Sequence, residues 1–397
     1  MKYDFDQVID RHGTDSSKWD CGAKLLKRGY TTRYDKETIP LFNADMDFKC
    51  APEIIKAMER VVARGIYGYT SIVDDDYYKA IQSWFFQYNS WKMEKEQIIL
   101  ERGTITGIVN LIQTFTEKED GIIIMPPVYS GFRDAIDFTG RTAQYCWLKC
   151  NDEPYYTIDF EQLEKLASDS KNKAVLLCNP HNPVGRVWTK EELTKLGNIC
   201  IKHGVTVVSD EIHQDFVFKG KHQVFANIKK EFADITVTCT APSKTFNIAS
   251  LMVSNIIISN PELKKKFRQE VNAAGISQIG VMGLIACEAA YKNGGEWYEA
   301  MLSYVNDNIE FTKKYVENNL KGVNMVEHEG TYLVWLDFRQ TGLSVDELED
   351  TIINKAGLWL DSGRIFGESG RGFQRINVAC PRSILKEALD RINKAIQ

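Results

Sequence analysis

Short apolar runs separated by helical patterns occupy the middle of the chain. The runs lie at 98–100, 122–125, 174–178, 205–208, 235–237 and 256–258. They are rich in Ile, Val and Leu, and polar residues appear only where each run stops, which is typical of strands buried on both faces. This alternation predicts an α/β fold in which helices sandwich a mostly parallel sheet.

The pattern differs at the two ends of the chain. Before the alternation, apolar residues recur at helical spacing from Pro52 onwards, with Gly65 placed to end that helix, and a second helix is predicted from about Asp74. After it, helical patterns fill 261–319, and 276–291 is long enough to link two domains. Strands at 332–338 and 373–378 and helices at 345–356 and 384–396 then predict a small α+β unit.

The length of 397 residues exceeds what one hydrophobic core usually supports. We therefore predict a large domain at 48–288 and a small domain at 289–397, with the N-terminal segment 1–47 belonging to the small one. No apolar run is long enough to span a bilayer, and the first residues lack the features of a targeting peptide. A cytoplasmic protein that does not bind membranes is the expectation.

Charge and cysteine usage exclude further classes. The formal net charge of −5 gives no electrostatic reason to bind nucleic acid. The nine cysteines include no Cys-x-x-Cys pair, and His328-Glu329 is not followed by a second histidine at metalloprotease spacing. We expect reduced, mostly buried thiols and no metal site.

Chemically distinctive residues follow the predicted strands. A glycine-bearing turn at 101–107 opens a helix after the first strand, and Tyr129, Asn182, Asp210 and Lys244 follow four later strands. In an open parallel sheet, the ligand crevice lies outside the carboxyl ends of the strands. We therefore expect these groups to share one site.

These groups are the parts needed to hold pyridoxal phosphate. A lysine amine bonds the cofactor aldehyde, and a carboxylate beside the ring nitrogen keeps that nitrogen protonated. An aromatic ring can cover the cofactor ring, and an amide can donate to its C3 oxygen. Backbone N–H groups at Thr104 and Ile105, with the hydroxyl of Ser243, can bind the phosphate.

Several motifs resemble one family. The segments 43–48, 210–213, 241–247, 330–335, 366–367 and 375–382 are similar to fold-type I pyridoxal-phosphate enzymes of the aminotransferase class I/II superfamily, in the cystathionine β-lyase (C–S lyase) branch. The most specific pieces are Ala-Asp-Met-Asp-Phe at 44–48 and Arg-Ile-Asn-Val-Ala-Cys-Pro-Arg at 375–382. The resemblance runs through nearly the whole chain.

The resemblance implies a role for each matching residue. Lys244 would hold the cofactor and act in catalysis, Asp210 would pair with the ring nitrogen, and Asn182 would bond the C3 oxygen. Tyr129 would stack on the ring and assist catalysis, and Arg375 would bind the substrate carboxylate. The two remaining implied cofactor contacts are Tyr69, donated across a homodimer interface, and His213, which stands where many aminotransferases have tyrosine.

The chain also departs from that branch. Phe42 and Asn43 replace an expected Trp-Val pair on the segment that lines the substrate entrance in the family, so they bear on substrate choice. Thr104 and Ile105 replace two valines at the phosphate turn, where backbone groups do the binding. Packing roles compete for Tyr129 and His213, ordinary turn roles for Ser243 and Thr104, and a structural acid is an alternative partner for Arg375.

The implied reaction is α,β-elimination from cystathionine or another cysteine S-conjugate, which gives a thiol, pyruvate and ammonia. An aminotransferase acting on amino acids is the alternative, because it needs the same lysine and aspartate. A lyase with a secondary regulatory role in binding a protein is a further alternative.

Overall fold

The computed structural model describes residues 2–20, 22–27, 32–33, 35–72, 74–151, 154–275 and 278–397. Its helices are α1 Gly22–Lys27, α2 Pro52–Arg64, α3 Asp76–Asn89, α4 Thr104–Phe115, α5 Ser130–Phe138, α6 Phe160–Ala167, α7 Lys190–His203, α8 Lys230–Ile235, α9 Pro242–Thr245, α10 Pro261–Ala273, α11 Val281–Asn293, α12 Gly295–Asn319, α13 Val345–Asp350 and α14 Arg382–Ile396. Its strands are β1 Ile39–Pro40, β2 Ile98–Glu101, β3 Gly121–Ile124, β4 Thr142–Tyr145, β5 Lys149–Cys150, β6 Tyr156–Thr157, β7 Asn172–Cys178, β8 Thr206–Asp210, β9 Thr236–Thr240, β10 Ser254–Ile257, β11 Asn324–Met325, β12 Leu333–Asp337, β13 Leu358–Trp359, β14 Asp361–Ser362 and β15 Phe373–Asn377.

A seven-stranded sheet in the order β2-β10-β9-β8-β7-β3-β4 forms the centre of the molecule. Strand β10 runs antiparallel to both of its neighbours, and the pairs from β9 to β4 are parallel. The α/β class predicted from the apolar runs is confirmed. The run predicted at 235–237 is shifted, because Ile235 ends α8 and the strand continues to Thr240. The added residues include Thr238 and Thr240, whose β-branched side chains suit a strand.

A four-stranded antiparallel sheet, β11-β12-β15-β14, forms a second unit with α13 and α14. Strand β1 joins the same part of the molecule, because Ile39 pairs with Leu358 of β13 in a parallel register. The N-terminal segment thus pairs with the C-terminal unit, in keeping with the predicted domains, whose boundaries stay a prediction.

Helices α11 and α12 carry the chain between the two units. The pattern predicted one linking helix over 276–291, but α11 begins at Val281, and Ile276 lies outside the described residues. A break at Gly294 separates α11 from α12. A β-carbon there would lie 2.4 Å from Cε1 of Phe246 and 2.5 Å from the carbonyl oxygen of Ala290, so glycine permits this close approach.

The largest apolar core lies beneath this link, where buried residues of α2, α3, α11 and α12 pack with those of β12 and α14. Two further cores cover the faces of the central sheet. Within the described ranges, every helix is too short or too polar to cross a membrane. The cysteines that the structure describes are free thiols, mostly buried, and Cys21 lies outside the described residues.

Candidate active site

A cavity of about 260 Å³ lies at the carboxyl ends of the central strands. Its lining includes every predicted site residue except Tyr69: Thr104, Ile105, Tyr129, Asn182, Asp210, His213, Ser243, Lys244 and Arg375. Asn43 and Ala44 of the N-terminal segment close one side. The side chain of Tyr69 is 97% exposed and does not contribute to this cavity.

Lys244 lies on the short helix α9, which Pro242 opens directly after β9. Its Nζ donates to the carbonyl oxygen of Ala44 at 2.8 Å. Burial and the positive charge of Arg375 lower the pKa of Lys244 to about 8, although Asp45 and Asp210 act against the decrease. Part of the population therefore carries a neutral, nucleophilic amine near neutral pH.

Asp210 ends β8 and is buried beside that amine. One oxygen accepts a long hydrogen bond from the backbone N–H of Ile212 at 3.3 Å, and no other described group donates to the carboxyl. Burial raises the pKa of Asp210 to about 7, an increase that Lys244 reduces. A protonated ring nitrogen would give this carboxylate the partner that it lacks.

Asn182 and Arg375 form one hydrogen-bonded unit. Nη1 of Arg375 donates to Oδ1 of Asn182 at 2.8 Å, which leaves the Asn182 amide N–H groups without an acceptor among the described residues. Nη2 donates to the carbonyl of Phe42 at 2.7 Å and to the carboxylate of Asp361, and Nε is buried without a partner. A structural acid does bind Arg375, yet the Nε N–H and the second N–H of Nη1 have no acceptor among the described residues.

Tyr129 begins the turn into α5, and its backbone N–H donates to the carbonyl of Asn182 at 3.1 Å. A β-carbon at Gly131 would lie 2.5 Å from Cε1 of the Tyr129 ring, so the ring position requires glycine there. Burial, reinforced by Asp210, raises the pKa of Tyr129, and the phenol is neutral at neutral pH.

The turn between β2 and α4 closes the other end of the cavity. Gly103 adopts a positive φ of 90°. The N–H groups in the first turn of α4 have no carbonyl acceptor within the helix. The hydroxyl of Thr104 is buried and has no hydrogen-bond partner among the described residues. These free donors and the helix dipole favour an anion.

His213 lies three residues beyond Asp210. Burial, with the charges of Lys244 and Arg375, lowers its pKa well below the ordinary value, so the imidazole is neutral. Its ring packs against Tyr332 at a centroid distance of 5.9 Å, and Nδ1 has no hydrogen-bond partner in the described chain. A cofactor contact for His213 stays a prediction.

Three residues of the site were not predicted from the sequence. The carbonyl of Ala44 accepts from the hydroxyl of Tyr332 at 2.8 Å as well as from Lys244. Asp361 stands opposite Arg375 in the pairing of β14 with β15. A carbonyl acceptor has no side-chain signal, and Asp361 could be found only by first pairing these strands.

Comparison with known proteins identifies the family. A model of the aminotransferase class I and II family matches residues 36–392, and the chain belongs to this family. It is 39% identical over 393 residues to cystathionine beta-lyase PatB of Bacillus subtilis, covering 99% of both chains. The family expected from the motifs is confirmed.

Solved structures give the same result. Cystalysin from Treponema denticola, which contains a pyridoxal 5'-phosphate cofactor, is 40% identical, with a TM-score of 0.94 over 100% of this chain and 99% of that one. The pyridoxal-phosphate-bound C–S lyase from Staphylococcus hominis is 32% identical, with a TM-score of 0.91 over 99% and 98% of the two chains. The fold is therefore that of fold-type I pyridoxal-phosphate enzymes.

Replacing Asp210 by asparagine should make the free energy of unfolding of the cofactor-free protein depend less on pH. The carboxyl has a pKa of about 7 when folded and an ordinary value of 3.8, so unfolding releases a proton between these values. The free energy of unfolding must then fall as pH rises from about 4 to 7, by about 1.4 kcal/mol for each unit of pKa difference. Urea unfolding at pH 5 and pH 8 measures this loss.

Asp210→Asn should remove about 2 kcal/mol or more of the decrease seen in the unmodified protein between these two pH values. Other titrating groups are common to both proteins and largely cancel in the comparison. If the free energy of unfolding changed equally with pH in the two proteins, the raised pKa of Asp210 would be contradicted.

Proposed function

We propose that the protein is a pyridoxal-phosphate-dependent C–S β-lyase. The substrate is cystathionine or another cysteine S-conjugate, and the products are a thiol, pyruvate and ammonia. The observation that carries the proposal is the meeting of Lys244, Asp210, Asn182 and Arg375 in one cavity. The relatives named as cystathionine β-lyase and C–S lyase support the choice of reaction.

The residues present fit pyridoxal phosphate. Lys244 offers an amine of lowered pKa to its aldehyde, and the under-bonded carboxylate of Asp210 suits its ring nitrogen. The Asn182 amide suits the C3 oxygen, and the buried Thr104 hydroxyl with the start of α4 suits the phosphate. The bound cofactor supplies an aldehyde that captures amines and a ring that accepts an electron pair from the substrate α-carbon.

Arg375 orients the substrate by its α-carboxylate. The guanidinium is fixed by Asn182, Phe42 and Asp361 before any substrate arrives, so little side-chain entropy is lost on binding. Burial raises the pKa of Asp361, although Arg375 opposes that increase. Asn43 lines the same cavity. The ring of Phe42 stacks on that of Trp359, with the ring centroids 4.4 Å apart, and the Phe42 carbonyl accepts from Arg375. These contacts support a role for both family departures in substrate choice.

Lys244 moves the protons of the reaction. Once its Nζ is free, the neutral amine takes the proton from the substrate α-carbon, and its low pKa supplies that neutral form near pH 8. The resulting ammonium then gives a proton to the departing sulfur, with the Tyr129 hydroxyl as the second available donor. Hydrolysis of the remaining fragment completes the balance, in which cystathionine and water give homocysteine, pyruvate and ammonia.

An aminotransferase uses the same lysine and aspartate, and differs in returning the proton to the cofactor. The neutral His213, in place of the tyrosine of many aminotransferases, favours the lyase. A secondary regulatory role in binding a protein has no feature of the site in its favour. A cytoplasmic location, supported by the free thiols, completes the proposal.

The reaction is tested by incubating purified, cofactor-loaded protein with L-cystathionine. Thiol, pyruvate and ammonia should appear in equal amounts, and Lys244→Ala should reduce turnover at least about 100-fold because the proton-transferring amine is lost. Parallel assays with an amino acid and 2-oxoglutarate measure amino transfer. Amino transfer faster than pyruvate release from cystathionine would instead favour the aminotransferase.

A homodimer in which Tyr69 reaches the neighbouring subunit's cofactor is part of the proposal. The loop after α2 presents three apolar side chains to solvent: Ile66 at 79%, Tyr67 at 61% and Tyr69 at 97% exposure. Ile105 and Met252, beside the cavity, are also exposed. Contact with a second copy would bury these side chains and supply a phenol to the phosphate end of the cavity.

Subunit mixing tests this assignment. Lys244→Ala and Tyr69→Phe should each lower activity, and a mixture of the two, dissociated and reassociated, should recover about a quarter of normal sites, since each hybrid dimer contains one site with both native residues. The inactive control is a chain that carries both Lys244→Ala and Tyr69→Phe and is assayed without a second variant. No recovery in verified hybrid dimers would contradict the assignment of Tyr69 to the neighbouring subunit's site.

A further inference from the structure

The segment 44–48, here called the strap, is held against the cavity from two sides. Its Ala44 carbonyl accepts from Lys244, and its Met46 N–H donates to Oδ1 of Asn247 at 2.9 Å, close to the same lysine. On the other side, Nδ2 of Asn377 donates to the carbonyl of Asp45 at 2.7 Å. The strap therefore holds a fixed position beside the Lys244 amine.

The two acids of the strap have different surroundings. Asp47 is buried, and both of its oxygens are satisfied, by Arg11 at 2.7 Å, by Lys18 at 2.7 Å and by the indole N–H of Trp19 at 2.9 Å. In the described part of the chain, Asp45 accepts a side-chain hydrogen bond only from Arg11, at 2.7 Å on Oδ2. Its Oδ1 is buried and has no hydrogen-bond partner among the described residues. Asp45 therefore retains acceptor capacity that Asp47 has used.

Charged and titratable groups from four parts of the chain face Lys244. Asp45 on the strap and Asp210 at the end of β8 are carboxyl groups, and Asp210 is only partly ionised at neutral pH. Arg375 on β15 is positive, and His213 is neutral. The Tyr332 hydroxyl shares the Ala44 carbonyl with the amine. Asp45 directly follows Ala44, whose carbonyl accepts from the amine at 2.8 Å, and its Oδ1 is buried without a partner in the described chain. In keeping with this placement, its negative charge opposes the lowered pKa of Lys244.

We propose that Asp45 is a positioning residue, the counter-charge that holds the Lys244 amine beside the Ala44 carbonyl whenever that amine is not bonded to the cofactor. The inference rests on the proposed function and deepens it. When Nζ takes the α-proton, the C–H bond breaks, an N–H bond forms, and the electron pair stays on the substrate side. Asp45 stabilises the resulting ammonium until that proton passes to the leaving sulfur.

Three variants separate this role from a purely structural one. Asp45→Asn keeps the shape and the acceptor for Arg11 but removes the charge, and Asp47→Asn makes the same change at the saturated neighbour. Arg11→Gln instead leaves Asp45 without its cation. The readout is the pH dependence of Lys244 acetylation by acetic anhydride in the cofactor-free protein, followed by peptide mass spectrometry, with circular dichroism as the check of folding.

Asp45→Asn should lower the apparent pKa of Lys244 by roughly one pH unit, because loss of a nearby opposite charge disfavours the ammonium. Arg11→Gln should raise that pKa, and Asp47→Asn should leave it nearly unchanged. An unchanged value in folded Asp45→Asn, or an equal shift in Asp47→Asn, would overturn the proposal. Should Asp47→Asn not fold, the opposite signs expected for the other two variants still decide the matter.

The loaded enzyme gives a second measurement. The acid limb of the kcat profile should move to lower pH in Asp45→Asn, with a several-fold lower maximum, because the base is weaker and its ammonium less stabilised. The acetylation result does not depend on lyase turnover, because it is measured in the cofactor-free protein. A shifted Lys244 pKa without lyase turnover would reject the proposed function alone, and lyase turnover without the shift would reject only the role of Asp45.

Discussion

The burial of Asp210 and the partial burial of Lys244 are the constraint on which the rest of the site depends. Both charged forms lose solvation in the cavity, so the amine pKa falls to about 8 and the carboxyl pKa rises to about 7. Neither group has a full set of partners in the part of the chain that the structure describes. Burial of these two groups lowers the free energy of unfolding. The same burial leaves an amine that can react with an aldehyde and a carboxylate that can pair with a ring nitrogen.

The fold brings this pair together with parts of the chain that are far away in sequence. Parallel pairing of β8 with β9 places the carboxylate and the lysine at one sheet edge, because Asp210 stands opposite Cys239, five residues before Lys244. The N-terminal strap and β15 then cover that edge from the second unit. Arg375, Asp361 and the Phe42 carbonyl are joined there by hydrogen bonds, which couple the proposed substrate-binding arginine to the N-terminal segment.

The sequence is most informative where chemistry follows a buried strand. Apolar runs located the central sheet, and the residues after them, Asp210 and Lys244 above all, lie in one cavity as expected. The Ala44 carbonyl and Asp361 could not be predicted, because each is defined by a partner hundreds of residues or one strand pairing away. Tyr69 lies outside the cavity of its own chain, so the role proposed for it depends on a second copy, whose contacts no pattern in one chain specifies.

The central claim is that Lys244 is the residue that holds pyridoxal phosphate. Reduction of the loaded protein with sodium borohydride fixes the cofactor to the amine that carries it, and peptide mass spectrometry then locates the added mass. The account predicts a pyridoxyl group on the peptide containing Lys244 and loss of the visible absorbance of the bound cofactor. Labelling of another lysine, with Lys244 unmodified, would contradict it.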